Sequence, residues 1–317
     1  MSSPLEALAI VLEAPERVVV NRLALTAPTD DDVVVDVQWS GISTGTERLL
    51  WSGEMPAFPG MGYPLVPGYE AVGRITQCGR NAGREIGTQV FVPGARCFGD
   101  VRGLFGGSAQ RLVVAGNRTT VVAAKLGDSA VLLALAATAY HAVAAGGPDR
   151  PDLIVGHGVL GRLMARITLA LGAPAPTVWE RNSARHSGAA GYTVMQPDQD
   201  ARRDYRAIYD ASGDATLLEP LIGRLARGGE VVLAGFYSDP LSFNFPAAFM
   251  REARIRVAAE WRDADMAAVA AMVHDGRLSL DGLITHRVPA AHASSAYPTA
   301  FSDSSCLKMV LNWSATE

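Results

Sequence analysis

Hydrophobic and polar positions follow different patterns in the two halves of the chain. Up to about residue 125, short runs of β-branched residues are separated by glycine and proline, which is typical of strands joined by turns. The runs are Val18–Val20, Val33–Val37, Val90–Val92, Leu112–Val114 and Thr119–Val122. The pattern therefore predicts a mostly β amino-terminal half.

Short apolar strands alternate with helical stretches in the part that follows. Strands joined by helices predict a parallel, doubly wound sheet, so the fold class is α/β. From about Asp263 we expect a helix, a strand near Ile284–Val288, and a final helix and strand. The strands predicted for the parallel sheet are Leu153–Val155, Thr177–Trp179, Tyr192–Met195, Ala207–Tyr209, Glu230–Ala234 and Arg254–Ala258.

One apolar stretch reaches the length of a membrane-spanning helix. Ala130–Gly147 contains no formally charged residue, and spanning helices need roughly 17 to 25 residues. The stretch is rich in alanine, includes Thr138 and Tyr140, and has no basic cluster beside it. We therefore expect a buried helix of a soluble protein and no integral membrane segment.

Composition narrows the class of protein. The chain has 317 residues, which suits two domains, and it is 49% hydrophobic, which excludes a disordered protein. A net charge of −4 argues against nucleic acid as a partner. The three cysteines, Cys78, Cys97 and Cys306, exclude a dense disulfide framework and a four-cysteine zinc site. No secretory signal opens the chain, so we expect a cytoplasmic protein.

A dinucleotide fingerprint follows the first predicted strand of the α/β part. Gly156-His157-Gly158-Val159-Leu160-Gly161 stands between an apolar strand and a helical run, which is the context that the pattern requires. The first glycine permits a tight turn, the second lets the backbone approach a pyrophosphate, and the third lets the helix pack on the strand. His157 either contacts the pyrophosphate or occupies a variable position.

Glu180 ends the next predicted strand and indicates the cofactor. Its carboxylate can accept hydrogen bonds from both hydroxyls of an adenosine ribose and repels a 2′-phosphate, so we predict NAD. Arg181 and Arg185 lie close enough in sequence to neutralise a 2′-phosphate, which leaves NADP as the alternative.

Several segments together resemble the medium-chain dehydrogenase/reductase superfamily over nearly the full chain. These are Ser40–Glu47, Leu65–Gly73, Leu104–Gln110, Thr138–Ala142, Ile208–Gly213 and Gly228–Phe236. The resemblance implies a GroES-like, mostly β catalytic domain of residues 1–130 and 263–317, and a Rossmann NAD-binding domain of residues 131–262. It also implies that Ala211 and Gly235 contact the cofactor.

Departures from the superfamily pattern concern zinc. Its alcohol dehydrogenases hold a catalytic zinc where this chain has Ser43, Tyr69 and about Ala134, and only Glu70 is retained. Hydroxyl groups are poor zinc ligands beside thiolate and imidazole, so we expect no metal. Tyr69 is then the first candidate for accepting the alcohol proton or orienting the substrate. Glu70 with Ser43 as a relay is the second, and Thr44 and Thr46 line the same pocket.

Four segments further resemble superfamily members that act on precursors of bacteriochlorophyll, namely Ser40–Gly53, Met55–Glu70, Leu280–Arg287 and Cys306–Trp313. That resemblance implies a flat, apolar tetrapyrrole whose hydroxyethyl side chain is oxidised to an acetyl group. Trp51, Phe58, Met61 and Tyr63 offer an apolar surface, and Arg48 a cation for the propionate. His141 is a further candidate for contact with the substrate, although helix histidines more often have a structural partner.

Two alternative functions and one question of assembly stay open from the sequence alone. A zinc-independent quinone or enone reductase of the same superfamily would use NADPH, and Glu180 argues against it. A non-catalytic protein that binds nucleotide and pigment belongs to another functional class. A homodimer is also expected if Arg254–Ala258 is an exposed edge strand, because relatives commonly pair through that strand.

Overall fold

The chain divides into two units, and the first is built from residues at both ends. The structure, a computed structural model, describes residues 5–57, 59–145 and 149–314. The first unit comprises Met1–Ala134 and Leu283–Glu317, and the second comprises Leu135–Gly282.

The strands are β1 (Glu6–Ala14), β2 (Arg17–Ala24), β3 (Asp32–Ile42), β4 (Leu65–Val66), β5 (Ala71–Cys78), β6 (Gln89–Val92), β7 (Arg102–Gly103), β8 (Arg111–Ala115), β9 (Thr120–Val121), β10 (Leu153–Val155), β11 (Thr177–Trp179), β12 (Thr193–Met195), β13 (Tyr205–Asp210), β14 (Leu225–Leu233), β15 (Arg254–Val257), β16 (His286–Pro289) and β17 (Met309–Asn312). The α-helices are α1 (Thr46–Ser52), α2 (Leu133–Ala144), α3 (Val159–Ala170), α4 (Leu218–Ile222), α5 (Phe245–Arg251), α6 (Asp263–His274) and α7 (Ala293–Ser302).

Two sheets form the mostly β first unit. One has the strand order β2-β1-β4-β7, and the other has the order β16-β17-β3-β5-β6-β9 with β8 also paired to β3. The central strand β3 is buried over Val33–Val35, because β5 and β8 pair along its two edges and the side chains of the core pack around it. Strand β17 pairs with the end of β3, with Met309 opposite Ile42. This long-range pairing brings β17, the last strand, to the turn that follows β3.

A parallel sheet forms the core of the second unit, which confirms the predicted fold class. Its strand order is β12-β11-β10-β13-β14-β15, and all of the pairings are parallel. This is the Rossmann order, in which the chain reverses direction of winding between the first and fourth strands, β10 and β13. Leu153, Ile154 and Val155 of β10 are buried, as expected for a central parallel strand covered on both faces.

The chain returns from the second unit to the first after Gly282, whereas the sequence predicted this return at residue 263. Helix α6 and the loop that follows it are fastened within the second unit by polar contacts. Asp265 Oδ2 lies 2.8 Å from His141 Nδ1, and Arg166 Nη1 donates to the carbonyls of Ser279 and Asp281. These contacts explain why α6 is grouped with the second unit in the structure, and the domain bounds given from the sequence stay a prediction.

The predicted apolar stretch, of which Gly146 and Gly147 lie outside the described residues, belongs to a longer helical stretch that is kinked and mostly buried. Ala124–Ala144 is long and apolar enough to cross a membrane by length and composition. However, Gly127 has non-helical φ and ψ of 51° and −131°, and the α-helix proper, α2, begins only at Leu133. Residues 130–134 are buried in the protein, as predicted for a core helix.

Strand β15 forms one end of the parallel sheet. It pairs with β14, and the side chains of Ile255 and Val257 are exposed. The strand therefore has the character of the predicted edge, and the homodimer stays a prediction.

Candidate active site

Ser43 and Tyr69 form a hydrogen-bonded pair in the first unit. Ser43 lies in the turn between β3 and α1, and Tyr69 lies between β4 and β5. Their hydroxyl oxygens are 2.7 Å apart, so either can donate to the other. Thr46 also hydrogen-bonds the Tyr69 phenol, whereas Thr44 is exposed. The structure thus brings three of the predicted hydroxyls together and leaves the fourth at the surface.

Gly68 fixes the position of Tyr69. Its φ of +92° favours glycine, and a Cβ there would lie 2.3 Å from Ser108 Oγ. The Gly107 N–H donates to the Gly68 carbonyl at 2.7 Å, so the two loops pack closely. The ring of Phe105, from the same loop as Gly107, meets the Tyr69 ring edge-on with centroids 5.6 Å apart. An aromatic side chain therefore lies beside the phenol.

Glu70 is paired with Lys308, a residue that the sequence analysis missed. Lys308 Nζ contacts Glu70 Oε2 and donates to the Ile42 carbonyl at 3.0 Å, and both side chains are fully buried. Among the described residues, Glu70 Oε1 has no hydrogen-bond partner. Burial raises the pKa of Glu70, and the Lys308 ammonium opposes that effect. Gly41 is required beside this pair, since a Cβ there would lie 2.0 Å from Glu70 Oε2.

Glu47 supports the turn that carries Ser43, and it too was missed as a site residue. Its Oε1 accepts from the Ser43 N–H at 3.0 Å, and its Oε2 accepts from the Tyr297 hydroxyl at 2.7 Å. Burial raises the pKa of Glu47 to about 7. A carboxyl group among the buried leucines of α1 is the signal in the sequence that could have identified it.

Electrostatics keep Tyr69 neutral in the free protein. Loss of water around the phenol and the nearby Glu70 and Glu47 carboxyls raise the pKa of Tyr69 well above its usual range. Its hydrogen bonds to Ser43 and Thr46 oppose this shift only in part. The residue is therefore a phenol that donates one hydrogen bond and accepts others.

The donor groups in this pocket do not fit a zinc ion. Ser43 and Tyr69 bond each other, Glu70 is held by Lys308, and Ala134 has no donor atom. Within residues 5–57, 59–145 and 149–314, no three His, Cys, Asp or Glu side chains are grouped to hold a metal.

Three of the six predicted substrate residues pack against other parts of the first unit. Trp51 and Met61 lie partly buried against the core of the first unit, and the Trp51 ring is 5.4 Å from that of Phe301 in α7. Tyr63 packs there too, and its hydroxyl donates to the Leu50 carbonyl.

The other predicted substrate residues divide into three cases. Arg48 is exposed on α1. His141 belongs to the second unit and is bonded to Asp265, as expected of a helix histidine with a structural partner. Phe58 lies outside the described residues.

The predicted cofactor residues stand at the carboxyl ends of neighbouring parallel strands. Gly156 follows β10, Glu180 follows β11, Ala211 follows β13 and Gly235 comes two residues after β14. In open parallel sheets, ligands bind at this edge, beside the point where the strand order reverses. The arrangement is the one expected of a dinucleotide site.

The glycines of the fingerprint meet the demands of such a site. A Cβ at Gly161 would lie 1.9 Å from the Gly156 carbonyl oxygen, so α3 can pack on β10 only with glycine there. A Cβ at Gly158 would meet no atom within 4 Å, which leaves space in front of the helix for a ligand. Gly158 caps α3, and Val159 and Leu160 form its first turn, where free N–H groups favour an anion.

Glu180 is held by backbone donors, and the neighbouring arginines are partly engaged. Glu180 Oε2 accepts from the His157 N–H at 3.0 Å, and Oε1 accepts from the Asn182 N–H at 2.8 Å. Arg181 is exposed and lies 3.1 Å from Asp214. The carbonyl of Arg185 accepts from the side chain of His157, so the imidazole is bonded within the protein.

Comparison with known proteins identifies the family. Residues 29–125 match the alcohol dehydrogenase GroES-like domain. The chain is 55% identical to 2-desacetyl-2-hydroxyethyl bacteriochlorophyllide A dehydrogenase of Rhodobacter capsulatus, over 98% of this chain and 99% of the relative. It is 52% identical to the protein of the same name from Cereibacter sphaeroides, over 97% and 98% of the two chains. The chain belongs to the bacteriochlorophyllide dehydrogenase family.

Membership in the bacteriochlorophyllide dehydrogenase family confirms the resemblance to the medium-chain superfamily and makes the chain an oxidoreductase acting on a CH–OH group. Solved structures agree on the fold. An Escherichia coli alcohol dehydrogenase complexed with NADH superposes with a TM-score of 0.82 at 21% identity, covering 97% of this chain and 99% of that one. L-Idonate 5-dehydrogenase from Escherichia coli gives 0.85 at 16% identity, covering 98% and 99%.

Proposed function

We propose that the chain oxidises the 3-(1-hydroxyethyl) group of a bacteriochlorophyllide precursor to the 3-acetyl group, with NAD and without zinc. The substrate follows from the two relatives that share more than half of their residues with this chain over nearly its whole length. The observation that carries the chemistry is the hydrogen-bonded Ser43–Tyr69 pair, which stands where the superfamily places two zinc ligands.

The reaction requires one hydride and one proton to leave the secondary alcohol. When bound, NAD supplies the hydride acceptor, so the protein itself has to orient the hydroxyl and remove its proton. Tyr69 accepts the substrate hydroxyl proton while it passes its own along the hydrogen bond to Thr46, which in turn releases a proton to water, and the hydroxyl of Ser43 holds the phenol in place. Such a transfer needs no free tyrosinate, which suits the raised pKa of Tyr69. Thr46 is only partly buried and offers the proton a way to water.

Glu70 is the weaker candidate for the proton acceptor. Its Oε2 is bound to Lys308 in a fully buried pair, so its charge is already compensated. Glu70 and Lys308 instead pack closely against the backbone of Gly41 at the end of β3. The first choice for the acceptor therefore remains Tyr69, with Thr46 as its relay and Ser43 as its hydrogen-bond partner.

The dinucleotide that we propose is NAD. Each carboxylate oxygen of Glu180 accepts one backbone N–H, which leaves lone pairs for the ribose hydroxyls. A 2′-phosphate would meet the same carboxylate and be repelled. Arg181, the nearest cation in sequence, is paired with Asp214.

A spectroscopic assay tests the function. The purified protein is mixed with 3-hydroxyethyl bacteriochlorophyllide a and either NAD⁺ or NADP⁺, and the pigment spectrum and absorbance at 340 nm are recorded. When NAD⁺ is the cofactor, we expect the acetyl product and NADH to form at the same rate, and a chelator to leave that rate unchanged. With NADP⁺, we expect the rate to be at least about tenfold lower. Pigment binding without a spectral change would show a non-catalytic protein. NADPH-dependent reduction of a quinone or enone would favour the alternative enzyme, and one tightly bound zinc per chain would overturn the account of the pocket.

A further inference from the structure

The histidine inside the glycine fingerprint is fully buried and has two specific partners. His157 Nδ1 lies 2.6 Å from the Arg185 carbonyl oxygen, and Nε2 lies 2.8 Å from the Tyr192 hydroxyl. The rings of His157 and Tyr192 also meet edge-on, with centroids 5.6 Å apart. The imidazole therefore links the glycine loop to the segment between β11 and β12.

The partners fix the position of the imidazole proton. Burial lowers the pKa of His157 to about 4, so the ring is neutral at neutral pH. A carbonyl oxygen only accepts, which places the proton on Nδ1 as the donor to Arg185. Nε2 then accepts from Tyr192, whose own pKa is raised by burial so that the phenol keeps its proton. Both bonds are satisfied in one tautomer.

Arg162 strengthens the same link from the first turns of α3. Its Nε donates to the His157 carbonyl at 3.0 Å, and its Nη2 donates to the Arg185 carbonyl at 2.9 Å. The guanidinium packs against Gly188, where a Cβ would lie 2.3 Å from Nη1 and φ is +82°. Segment 185–192, defined by Arg185 and Tyr192, is thus fastened to the glycine loop at both ends.

The position of Glu180 depends on hydrogen bonds from the glycine loop and from the residues that follow β11. The His157 N–H holds its Oε2, the Asn182 N–H holds its Oε1, and His186 Nε2 contacts its carbonyl oxygen at 2.8 Å. A cofactor with a 2′-phosphate would need Glu180 or the loop after it to move away. With segment 185–192 fastened to the glycine loop, that movement breaks buried hydrogen bonds.

We propose that His157 is a positioning residue that sets the preference for NAD over NADP, by holding segment 185–192 against the glycine loop so that Glu180 stays at the ribose site. The inference rests on the proposed use of a dinucleotide. It assigns to His157 a role through other residues rather than contact with the pyrophosphate.

The test measures binding of the reduced cofactors alone, so it needs no pigment. NADH and NADPH are titrated by fluorescence into the wild type, His157→Asn, Tyr192→Phe and the control His274→Asn, in which an exposed histidine of α6 is replaced. We expect His157→Asn to bind NADH about tenfold more weakly, which corresponds to the loss of one buried hydrogen bond, and NADPH no more weakly than the wild type does. The control should match the wild type for both cofactors.

Tyr192→Phe removes only the hydroxyl and serves if His157→Asn does not fold. We expect Tyr192→Phe to lower the ratio of NADH affinity to NADPH affinity about threefold. In the wild type, nitrogen-15 NMR should show His157 as the Nδ1–H tautomer. Equal weakening of both cofactors in Tyr192→Phe, or an unchanged ratio, would show a purely structural role and overturn the inference. Failure of the wild type to bind either cofactor would instead overturn the proposed function.

Discussion

At the scale of single residues, the proposed chemistry depends on the hydroxyl of Tyr69. Tyr69→Phe removes the group that bonds Ser43 and Thr46 while keeping the ring against Phe105. Because a positioned proton acceptor contributes about 10²- to 10⁴-fold, we expect kcat to fall at least about a hundredfold. The KM for NAD should change little, since the cofactor residues lie on other strands. Steady-state kinetics with the pigment measure both constants.

Thr44→Val is the matched comparison for this variant. Thr44 was a candidate from the sequence, yet its side chain is exposed. We expect Thr44→Val to keep kcat within about twofold of the wild type. Wild-type turnover by Tyr69→Phe would remove Tyr69 from the chemistry.

The Lys308–Glu70 pair allows a second prediction at the residue scale. Lys308→Met leaves the Glu70 carboxyl buried without its cation, and breaking a buried ion pair from one side costs about 3–5 kcal/mol. The double variant Glu70→Gln, Lys308→Met removes both charges and should recover most of that loss. Denaturant unfolding measures the free energies. If the double variant is no more stable than Lys308→Met, the stability lost by removing Lys308 does not come from an unpaired carboxylate.

At the scale of the elements, the end of β3 has to let the Glu70 carboxylate approach its backbone. A Cβ at Gly41 would lie 2.0 Å from Glu70 Oε2 and 3.0 Å from Lys308 Cε. We therefore expect Gly41→Ala to lower the free energy of unfolding by about 2 kcal/mol or more, as overpacking does in a tight core. Gly45→Ala, four residues on, meets no atom within 4 Å and has a φ of −87°. Its cost should stay below about 1 kcal/mol, and similar losses in the two variants would contradict this packing argument.

Local pattern predicted the second unit better than the first. Strands β10 and β11 appear at the predicted residues, because buried parallel strands are continuous apolar runs bounded by turns. Strand β14 begins at Leu225 rather than Glu230, since its glycines at 228 and 229 look like a turn in the sequence. Strand β5 was missed because it also contains a glycine, Gly73, which looks like a turn residue in the sequence. Its Gly73 lies so close to β3 that a Cβ would be 2.2 Å from the Asp36 carbonyl oxygen.

Only those residues of the candidate site that belong to a recognisable sequence motif could be predicted from the sequence. Ser43, Tyr69 and Glu70 belong to segments that resemble a known superfamily, and the glycine fingerprint has its own physical logic. Lys308 and Tyr297 reach the site through pairings across 266 and 250 residues of chain, to Ile42 and Glu47. Such pairings follow from the antiparallel contact of β17 with β3 and from the packing of α7, which hydrophobic periodicity along one segment does not describe.

At the scale of the whole molecule, two buried groups make opposite contributions to the pH dependence of stability. Burial raises the pKa of Glu47 from 4.5 to about 7, so the folded protein keeps a proton that the unfolded chain has lost. Its contribution therefore falls as the pH rises from 4.5 through 7. Burial lowers the pKa of His157 from 6.5 to about 4, so there the unfolded chain holds the extra proton. That contribution falls as the pH drops from 6.5 to 4.

Between pH 4.5 and 6.5 the two contributions cancel, each with a slope of about 1.4 kcal/mol per pH unit. Replacing either group should therefore reveal the other. We expect the unfolding free energy of Glu47→Gln, relative to the wild type, to rise by about 3 kcal/mol over that interval, and that of His157→Asn to fall by a similar amount. Denaturant unfolding of both variants and the wild type at half-unit steps of pH measures these differences. If the free energy of unfolding of a variant runs parallel to that of the wild type across this pH range, the replaced group has the same pKa in the folded and the unfolded chain. The effect assigned to its burial would then be wrong.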